Sequence, residues 1–255
     1  MKSFIRVLPV FIAFMCMGFG DAAGPLTSQL EEHYTLSNFM ASLVTFAGFI
    51  SFGLFSIPIG LAQDRKSKKF ILTLGLGIAL AGLILPIIGN YQSFAMILLS
   101  IFLLGLGATA LQVSGNPIMR DVSPEGQYSS NLSFGQFVKA IGTLSTALLP
   151  MAARQFFNSD WRLLFPVYSA FLAVTIMYLL LIRIDEKTVV KEKPATFASA
   201  FALLKNRFVL LMVIGIFLYV GAEVCMSARL PNYLEKQFNF DIEKMGLWGT
   251  SFFFI

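Results

Sequence analysis

The sequence is poor in charge, in histidine and in cysteine. Charged residues occupy 13% of its 255 positions, about half of the share in a typical soluble domain. Cys16 and Cys225 both fall inside apolar stretches, which argues against a disulfide framework. The one histidine, His33, follows Glu31 and Glu32, as a solvated loop residue would. Because the sequence shows no metal-ligand cluster and no nucleophile beside a base, we expect neither an enzyme nor a cofactor.

Apolar residues, in contrast, are abundant. They make up 56% of the chain, and the mean hydropathy is +0.75, so the surface of this chain suits lipid rather than water. The net charge of +5 does not indicate nucleic acid binding, because the basic residues cluster at the ends of apolar runs rather than on one face. We therefore expect the lipid bilayer as a partner, and no nucleic acid.

The apolar residues form runs long enough to cross a bilayer, which takes roughly 20 residues. Only helices fit, because the runs lack the alternation of a membrane barrel and lipid leaves no backbone group unpaired. The first run is also similar to a signal peptide, but the spans that follow favour a retained first helix. We predict an all-α membrane protein with seven spans and part of an eighth: Phe4–Gly24, Phe39–Ala62, Phe70–Gly89, Ser93–Pro117, Asn131–Met151, Leu163–Ile182, Phe208–Arg229 and Met245 onward.

A short basic loop, Gly60–Lys69, separates the second span from the third. Lysine and arginine residues in a short loop, close to the ends of the spans, keep that loop in the cytoplasm. With the N-terminus inside, thirteen of the nineteen Lys and Arg residues are cytoplasmic, five face outward and Lys139 lies within a span. We predict a multi-pass protein of the cell (inner) membrane with a cytoplasmic N-terminus.

The longest polar stretch between spans, Arg183–Asn206, follows the sixth span. A linker at this point separates a complete six-helix unit from a second unit. We predict an N-terminal bundle over 1–183, a cytoplasmic linker over 184–206 and the start of a C-terminal bundle over 207–255. Since Ser251–Ile255 lies inside the eighth span, we interpret the chain either as a fragment or as a product that lacks its C-terminal part, and we expect the missing C-terminal bundle to be needed for function.

Closely spaced glycines mark the second, third and fourth spans. They are Gly48, Gly53, Gly75, Gly77, Gly82, Gly105, Gly107 and Gly115. Small residues let helices approach closely in lipid, where packing drives association. These glycines predict helix contacts and carry no functional signal.

Three ionisable residues stand at membrane depth, where such groups are costly and indicate function. Asp21 ends the apolar part of the first span, so it marks either the membrane–water interface or a functional site. Lys139, in the fifth span, is either a ligand or coupling group or one half of an ion pair that holds the bundle together. Glu223, in the seventh span, can carry a proton or neutralise Lys139. An ion-coupled carrier would use both states in different conformations.

Polar residues also form two stripes at helical spacing. The stripes are Thr109, Gln112 and Asn116 on the fourth span, and Gln136, Lys139 and Thr143 on the fifth. Amide and hydroxyl groups in such stripes either join helices or bind a polyhydroxylated solute. The candidate substrate-binding or coupling residues are therefore Asp21, Gln112, Asn116, Gln136, Lys139 and Glu223.

The basic loop resembles a signature of the major facilitator superfamily. That signature has a glycine, three residues, an aspartate, a basic residue, any residue, a second glycine and then further basic residues. Gly60, Asp64 and Arg65 match it, whereas Ser67 replaces the second glycine and puts the form of the turn in question. Asp160-Trp161-Arg162, before the sixth span, also resembles the superfamily.

Finer matches resemble the fucose/proton symporter family of sugar carriers. They comprise Asp21 with Pro25, Gly105-Leu106-Gly107, Asn116-Pro117, Ser123-Pro124-Glu125, Asn131-Leu132, Gln136, and Tyr219–Glu223 through Tyr233. Three positions depart from that family: Gln112 replaces a glutamate, Lys139 an asparagine and Glu223 a glutamine. Gln112 cannot titrate, so coupling would move to Asp21 or Glu223, use another ion, or be absent.

The resemblance implies two six-helix bundles that rock around a central cavity to give alternating access. It implies a secondary active transporter for a small polar solute, with a sugar as first candidate, in symport driven by a proton or sodium gradient. Asp64 and Arg65 would hold a cytoplasmic gate with partners in the C-terminal bundle. Lys139 leaves open an anionic solute such as a sugar acid or carboxylate, and a non-transporting half-carrier also remains open.

Overall fold

A computed structural model of the protein describes residues 2–157, 160–182, 184, 186 and 195–239. The regular structure of these residues is helical. The helices are α1 (Lys2–Gly18), α2 (Ala23–His33), α3 (Asn38–Arg65), α4 (Lys68–Ile88), α5 (Phe94–Val122), α6 (Tyr128–Phe157), α7 (Leu164–Leu181), α8 (Phe197–Ala202) and α9 (Arg207–Phe238). Short 3-10 turns cover Phe19–Ala22, Trp161–Leu163 and Leu203–Lys205. The predicted eighth span, from Met245 onward, lies outside the described residues.

Six of the described helices are long and apolar enough to cross a membrane. They correspond to the second through seventh predicted spans, which confirms the all-α membrane class. α3 extends slightly further than the apolar run predicts, and α5, α6 and α9 extend furthest past their predicted ends. The extra residues include polar ones such as Arg120, Asp121 and Gln155, because a helix continues past the hydrocarbon as long as its backbone bonds are satisfied.

The first span differs from the prediction of an end at Gly24. α1 and α2 are joined by the 3-10 turn Phe19–Ala22, and the helical path continues to His33. Pro25 lies in the first turn of α2, where its missing N–H costs no helical hydrogen bond. Asp21 therefore lies inside a broken helix rather than at its end, because a local tightening of the backbone absorbs the sequence Gly-Asp-Ala-Ala-Gly.

Glycines bring the helices of the bundle into backbone contact. A side chain at Gly105 would overlap the carbonyl of Gly48, and one at Gly107 would lie 2.6 Å from the carbonyl of Gly75. The α3–α5 and α4–α5 contacts that the glycine pattern predicts are therefore present. Gly53 has nothing within 4 Å of such a side chain, so it takes no part in these contacts.

The turn between α3 and α4 is shaped by Ser67. The Ser67 hydroxyl accepts a hydrogen bond from the Phe70 backbone N–H at 3.0 Å and caps α4. Its φ of −72° is open to any residue, so this turn does not require the glycine of the superfamily signature. The replacement exchanges backbone freedom for a helix cap.

At the opposite end of the bundle, aromatic residues tie the turns together. The Tyr34 hydroxyl donates to the Tyr91 carbonyl at 2.6 Å, and the Tyr91 hydroxyl donates to the Arg162 carbonyl at 3.3 Å. Burial raises the pKa of both phenols, which keeps them protonated as donors. Asp160 accepts from the Arg162 N–H at 2.9 Å and Trp161 is buried, so the Asp-Trp-Arg motif caps and anchors the 3-10 turn Trp161–Leu163 that leads into α7.

Candidate functional site

A cavity of about 680 Å³ lies between α9 and the preceding helices. The 3-10 turn after α1 and the helices α2, α3, α5, α6 and α9 all contribute to its walls. Its polar lining consists of Asp21, Thr27, Ser42, Thr45, Gln112, Lys139 and Glu223. Four of the six candidate residues predicted from the sequence therefore share one cavity.

Asp21 and Lys139 form an ion pair on the cavity wall. The Lys139 Nζ lies 3.4 Å from the Asp21 Oδ2, and both side chains are about three-quarters buried. The Thr143 hydroxyl donates to the same oxygen at 2.7 Å. The polar stripe of α6 thus provides two donors to one carboxylate, as its helical spacing allows.

Two glycines outside the predicted set make this ion pair possible. A side chain at Gly18 would overlap the Lys139 carbonyl, and one at Gly142 would overlap the Met15 carbonyl. α1 and α6 consequently pack backbone to backbone directly beside Asp21. The close approach of these backbones brings an aspartate, with its short side chain, within reach of α6.

Glu223 brings a second carboxylate to the cavity from α9. It lines the same cavity and lies within electrostatic range of both Lys139 and Asp21. Two carboxylates and one ammonium leave this cavity with one excess negative charge when all three are ionised. Gln112 adds a neutral amide from α5.

The other two candidate residues lie nearer the end of the bundle that holds the basic loop. Asn116 is one turn beyond Gln112 on α5, and its Oδ1 is buried without a hydrogen-bond partner among the described residues. Gln136 lies one turn before Lys139 on α6 and is exposed. Neither lines the cavity, so their part in solute binding stays a prediction.

Sequence patterns missed a hydroxyl pair and an aromatic wall in the cavity. Thr27 and Thr45 are 3.1 Å apart through their hydroxyl oxygens and connect α2 to α3. The aromatic side chains that line the cavity are Phe46, Phe49, Phe52 and Phe217. Apolar residues carry no functional signal inside an apolar span, so only their shared orientation in the structure distinguishes them.

The gating motif residues lie at the end of α3. Gly60 faces Val113 of α5, and a side-chain carbon added at Gly60 would lie 3.9 Å from the Val113 side chain. Asp64 and Arg65 are exposed.

Charged residues next to the motif connect the start of α4 to the end of α5 and to the chain after α7. Lys68 forms an ion pair with Asp121 at the end of α5. The Glu186 carboxylate accepts hydrogen bonds from the backbone N–H groups of Lys68 and Lys69, at 2.8 and 2.9 Å. A carboxylate at this point satisfies two of the free donors of α4 and lies at the positive end of its dipole. The chain after α7 is thereby fastened to the start of α4.

A model of the Major Facilitator Superfamily matches residues 10–255 of this chain. The chain belongs to that superfamily. Among curated proteins, a glucose/galactose transporter of Brucella abortus is 28% identical over 219 residues, which are 82% of this chain and 53% of that protein. The L-fucose-proton symporter of Escherichia coli is 24% identical over 120 residues, or 47% of this chain and 27% of that one. These relatives are transporters, in agreement with the prediction of a carrier rather than an enzyme.

Solved structures confirm the superfamily fold. The crystal structure of the superfamily transporter FucP in its outward conformation covers 99% of this chain with a TM-score of 0.75 and 17% sequence identity. This chain covers 69% of that structure. The chain also spans little more than half of the length of its glucose/galactose transporter relatives.

Proposed function

We propose that the protein is a secondary active transporter that moves a neutral sugar across the cell (inner) membrane by alternating access, in symport with a proton or sodium ion. The single observation that carries this proposal is the polar cavity between α9 and the preceding bundle, which holds Asp21, Lys139 and Glu223. Relatives that are named as glucose/galactose and L-fucose-proton transporters support a sugar as the solute.

The same proposal covers the organisation of the chain. Residues 1–183 form the N-terminal bundle, 184–206 the cytoplasmic linker, and 207–255 the start of the C-terminal bundle. The N-terminus lies in the cytoplasm, because the basic turn at 66–69 then lies on the positive side of the membrane. Gly60, Asp64 and Arg65 form part of a cytoplasmic gate that closes against the C-terminal bundle.

Coupling rests on the three charged groups of the cavity. Lys139 neutralises Asp21, with which it is paired at 3.4 Å, so Glu223 carries the excess negative charge. A proton or sodium ion that enters with the sugar cancels this charge, which lowers the cost of closing the cavity away from water. Gln112 replaces the titratable glutamate of the symporter family, and Glu223 takes over that function in this protein.

A neutral solute fits this charge balance better than a sugar acid. Lys139 is already engaged by Asp21, and an anion would add a second uncompensated charge beside Glu223. Replacing Lys139 by Asn would abolish the uptake of acids while sparing neutral hexoses if Lys139 bound an anionic solute. We expect instead that acids are not transported by either form.

Uptake into proteoliposomes tests the proposal. The full-length protein is reconstituted and offered labelled D-glucose, D-galactose, L-fucose and D-glucuronate, with a proton gradient, a sodium gradient or none. We expect saturable uptake of at least one neutral sugar, stimulated by one gradient. Glu223→Gln should retain sugar exchange and lose gradient-driven accumulation. A correctly inserted protein with no flux of any solute would support a non-transporting half-carrier and refute the proposal.

A further inference from the structure

One wall of the cavity is made by a single face of α3. The residues of α3 that line it are Ser42, Thr45, Phe46, Phe49 and Phe52. Their spacing of three and four residues places them in one stripe. The stripe begins with two hydroxyl groups and continues with three aromatic rings.

The rings of this stripe form an accessible apolar surface. The centroids of Phe49 and Phe52 are 6.1 Å apart with planes 28° from parallel, and Phe46 is 58% exposed. A phenylalanine elsewhere on α3 behaves differently. Phe55 packs edge-on against Phe102 of α5 at 6.2 Å and does not line the cavity. Phe55 therefore packs between α3 and α5, whereas Phe46 and Phe49 line the cavity.

Polar groups adjoin the aromatic surface. Thr45 precedes Phe46 directly, and its hydroxyl lies 3.1 Å from that of Thr27. The ion pair of Asp21 and Lys139 lines the same cavity. A pyranose ring presents two matching surfaces: hydroxyl groups around its rim and C–H groups on its faces. An aromatic ring stacks on such a C–H face and excludes water from it.

We infer that Phe46 and Phe49 are specificity-determining residues that stack on the C–H face of a pyranose, and so select cyclic sugars over open-chain polyols with as many hydroxyl groups. This inference rests on the proposed sugar transport. An open-chain hexitol can satisfy the polar groups but has no rigid apolar face for the rings. Organic cations are the competing ligand class, because aromatic rings beside an excess negative charge also attract ammonium groups.

Competition against labelled sugar uptake by the full-length protein tests the inference. The competitors are the unlabelled transported hexose, its hexitol and tetraethylammonium. The variants are Phe49→Leu, Phe49→Tyr and Phe46→Leu, with Phe55→Leu as the matched control on the same helix. Folding is checked by thermal unfolding of the purified variants. Phe46 is largely exposed, so Phe46→Leu provides a folded variant if Phe49→Leu does not fold.

We expect Phe49→Leu and Phe46→Leu to weaken hexose competition about tenfold, as the loss of a pocket contact does, and to leave hexitol competition unchanged. Phe55→Leu, outside the cavity, should match the wild type, whereas Phe49→Tyr keeps the ring and should weaken hexose competition less than Phe49→Leu does. Equal weakening of hexose and hexitol, or the same result in Phe55→Leu, would overturn the inference. Stronger competition by tetraethylammonium than by hexose would overturn it in favour of a cation site. A wild-type protein without sugar uptake refutes the proposed function instead.

Discussion

Replacing Lys139 by Met removes the ammonium of the cavity ion pair while keeping most of the side-chain volume. The unpaired Asp21 carboxylate then remains about three-quarters buried, with the Thr143 hydroxyl as its remaining side-chain donor among the described residues. Two unit charges at 3.4 Å attract each other by about 5 kcal/mol at an effective dielectric constant of about 20. The net effect is smaller, because part of the pair remains open to water.

Loss of one partner costs about 3–5 kcal/mol in a fully buried pair and about 0–1 kcal/mol in an exposed one. For the partly exposed pair of Asp21 and Lys139 we expect about 2–3 kcal/mol. In a chain of this size that loss lowers the melting temperature by about 5–10 °C. Thermal unfolding of the purified protein in detergent measures it.

A double-mutant cycle separates the ion pair from other effects of the substitution. Asp21→Asn alone should cost less than Lys139→Met, because the lysine has a long flexible stem and Glu223 lies within electrostatic range. The double variant should resemble Asp21→Asn, with a coupling free energy above about 1 kcal/mol. Lys205→Met, at an exposed position, is the control. Additive effects, or a Lys139→Met melting temperature equal to that of the wild type, would show that the pair contributes no stability.

Two further predictions concern packing and the basic loop. Gly105→Ala should destabilise the protein by about 1–3 kcal/mol because the new methyl group overlaps the Gly48 carbonyl. The control Gly53→Ala, in open space, should be neutral or stabilising. Equal melting temperatures of the two variants would contradict the α3–α5 contact. Glu186→Ala should lower the free energy of unfolding by about 1 kcal/mol because two N–H groups of α4 lose their acceptor, and Glu186→Gln should lower it less. Chemical denaturation measures both variants. An unchanged denaturation midpoint in Glu186→Ala would show that the carboxylate does not cap α4.

The number and class of the spans follow from the sequence because hydrocarbon admits few alternatives to an apolar helix. The end of the first span does not. Gly20, Asp21 and Gly24 interrupt the apolar run, and a polar interruption looks the same at a membrane surface as in a broken helix. The packing of α1 against α6 decides between these two positions, because the Asp21 carboxylate accepts a hydrogen bond from Thr143 and forms an ion pair with Lys139.

The charged part of the site was also predictable, because a buried lysine or carboxylate is rare enough in a span to be noticed. Gly18 and Gly142 were not, although they set the distance between α1 and α6. Gly142 stands apart from other glycines, and Gly18 lies near Gly20 and Gly24 in a segment that the sequence marks by its aspartate rather than by a packing pattern. The aromatic face of α3 is hidden for a similar reason: Phe49 and Phe55 are the same residue on one helix, and only the neighbours of α3 determine which faces the cavity.

Labelling of the native Cys225 tests the central claim that the cavity is the path of the solute. Cys225 is exposed and lines the cavity, whereas Cys16 is buried and donates to the Thr175 hydroxyl at 3.6 Å. A charged, membrane-impermeant maleimide should therefore modify the full-length protein at Cys225, as loss of labelling in Cys225→Ser would verify. We predict that a saturating concentration of the transported sugar slows this reaction. Labelling at the same rate with and without every sugar tested, or labelling by lipid-soluble maleimides alone, would contradict the account.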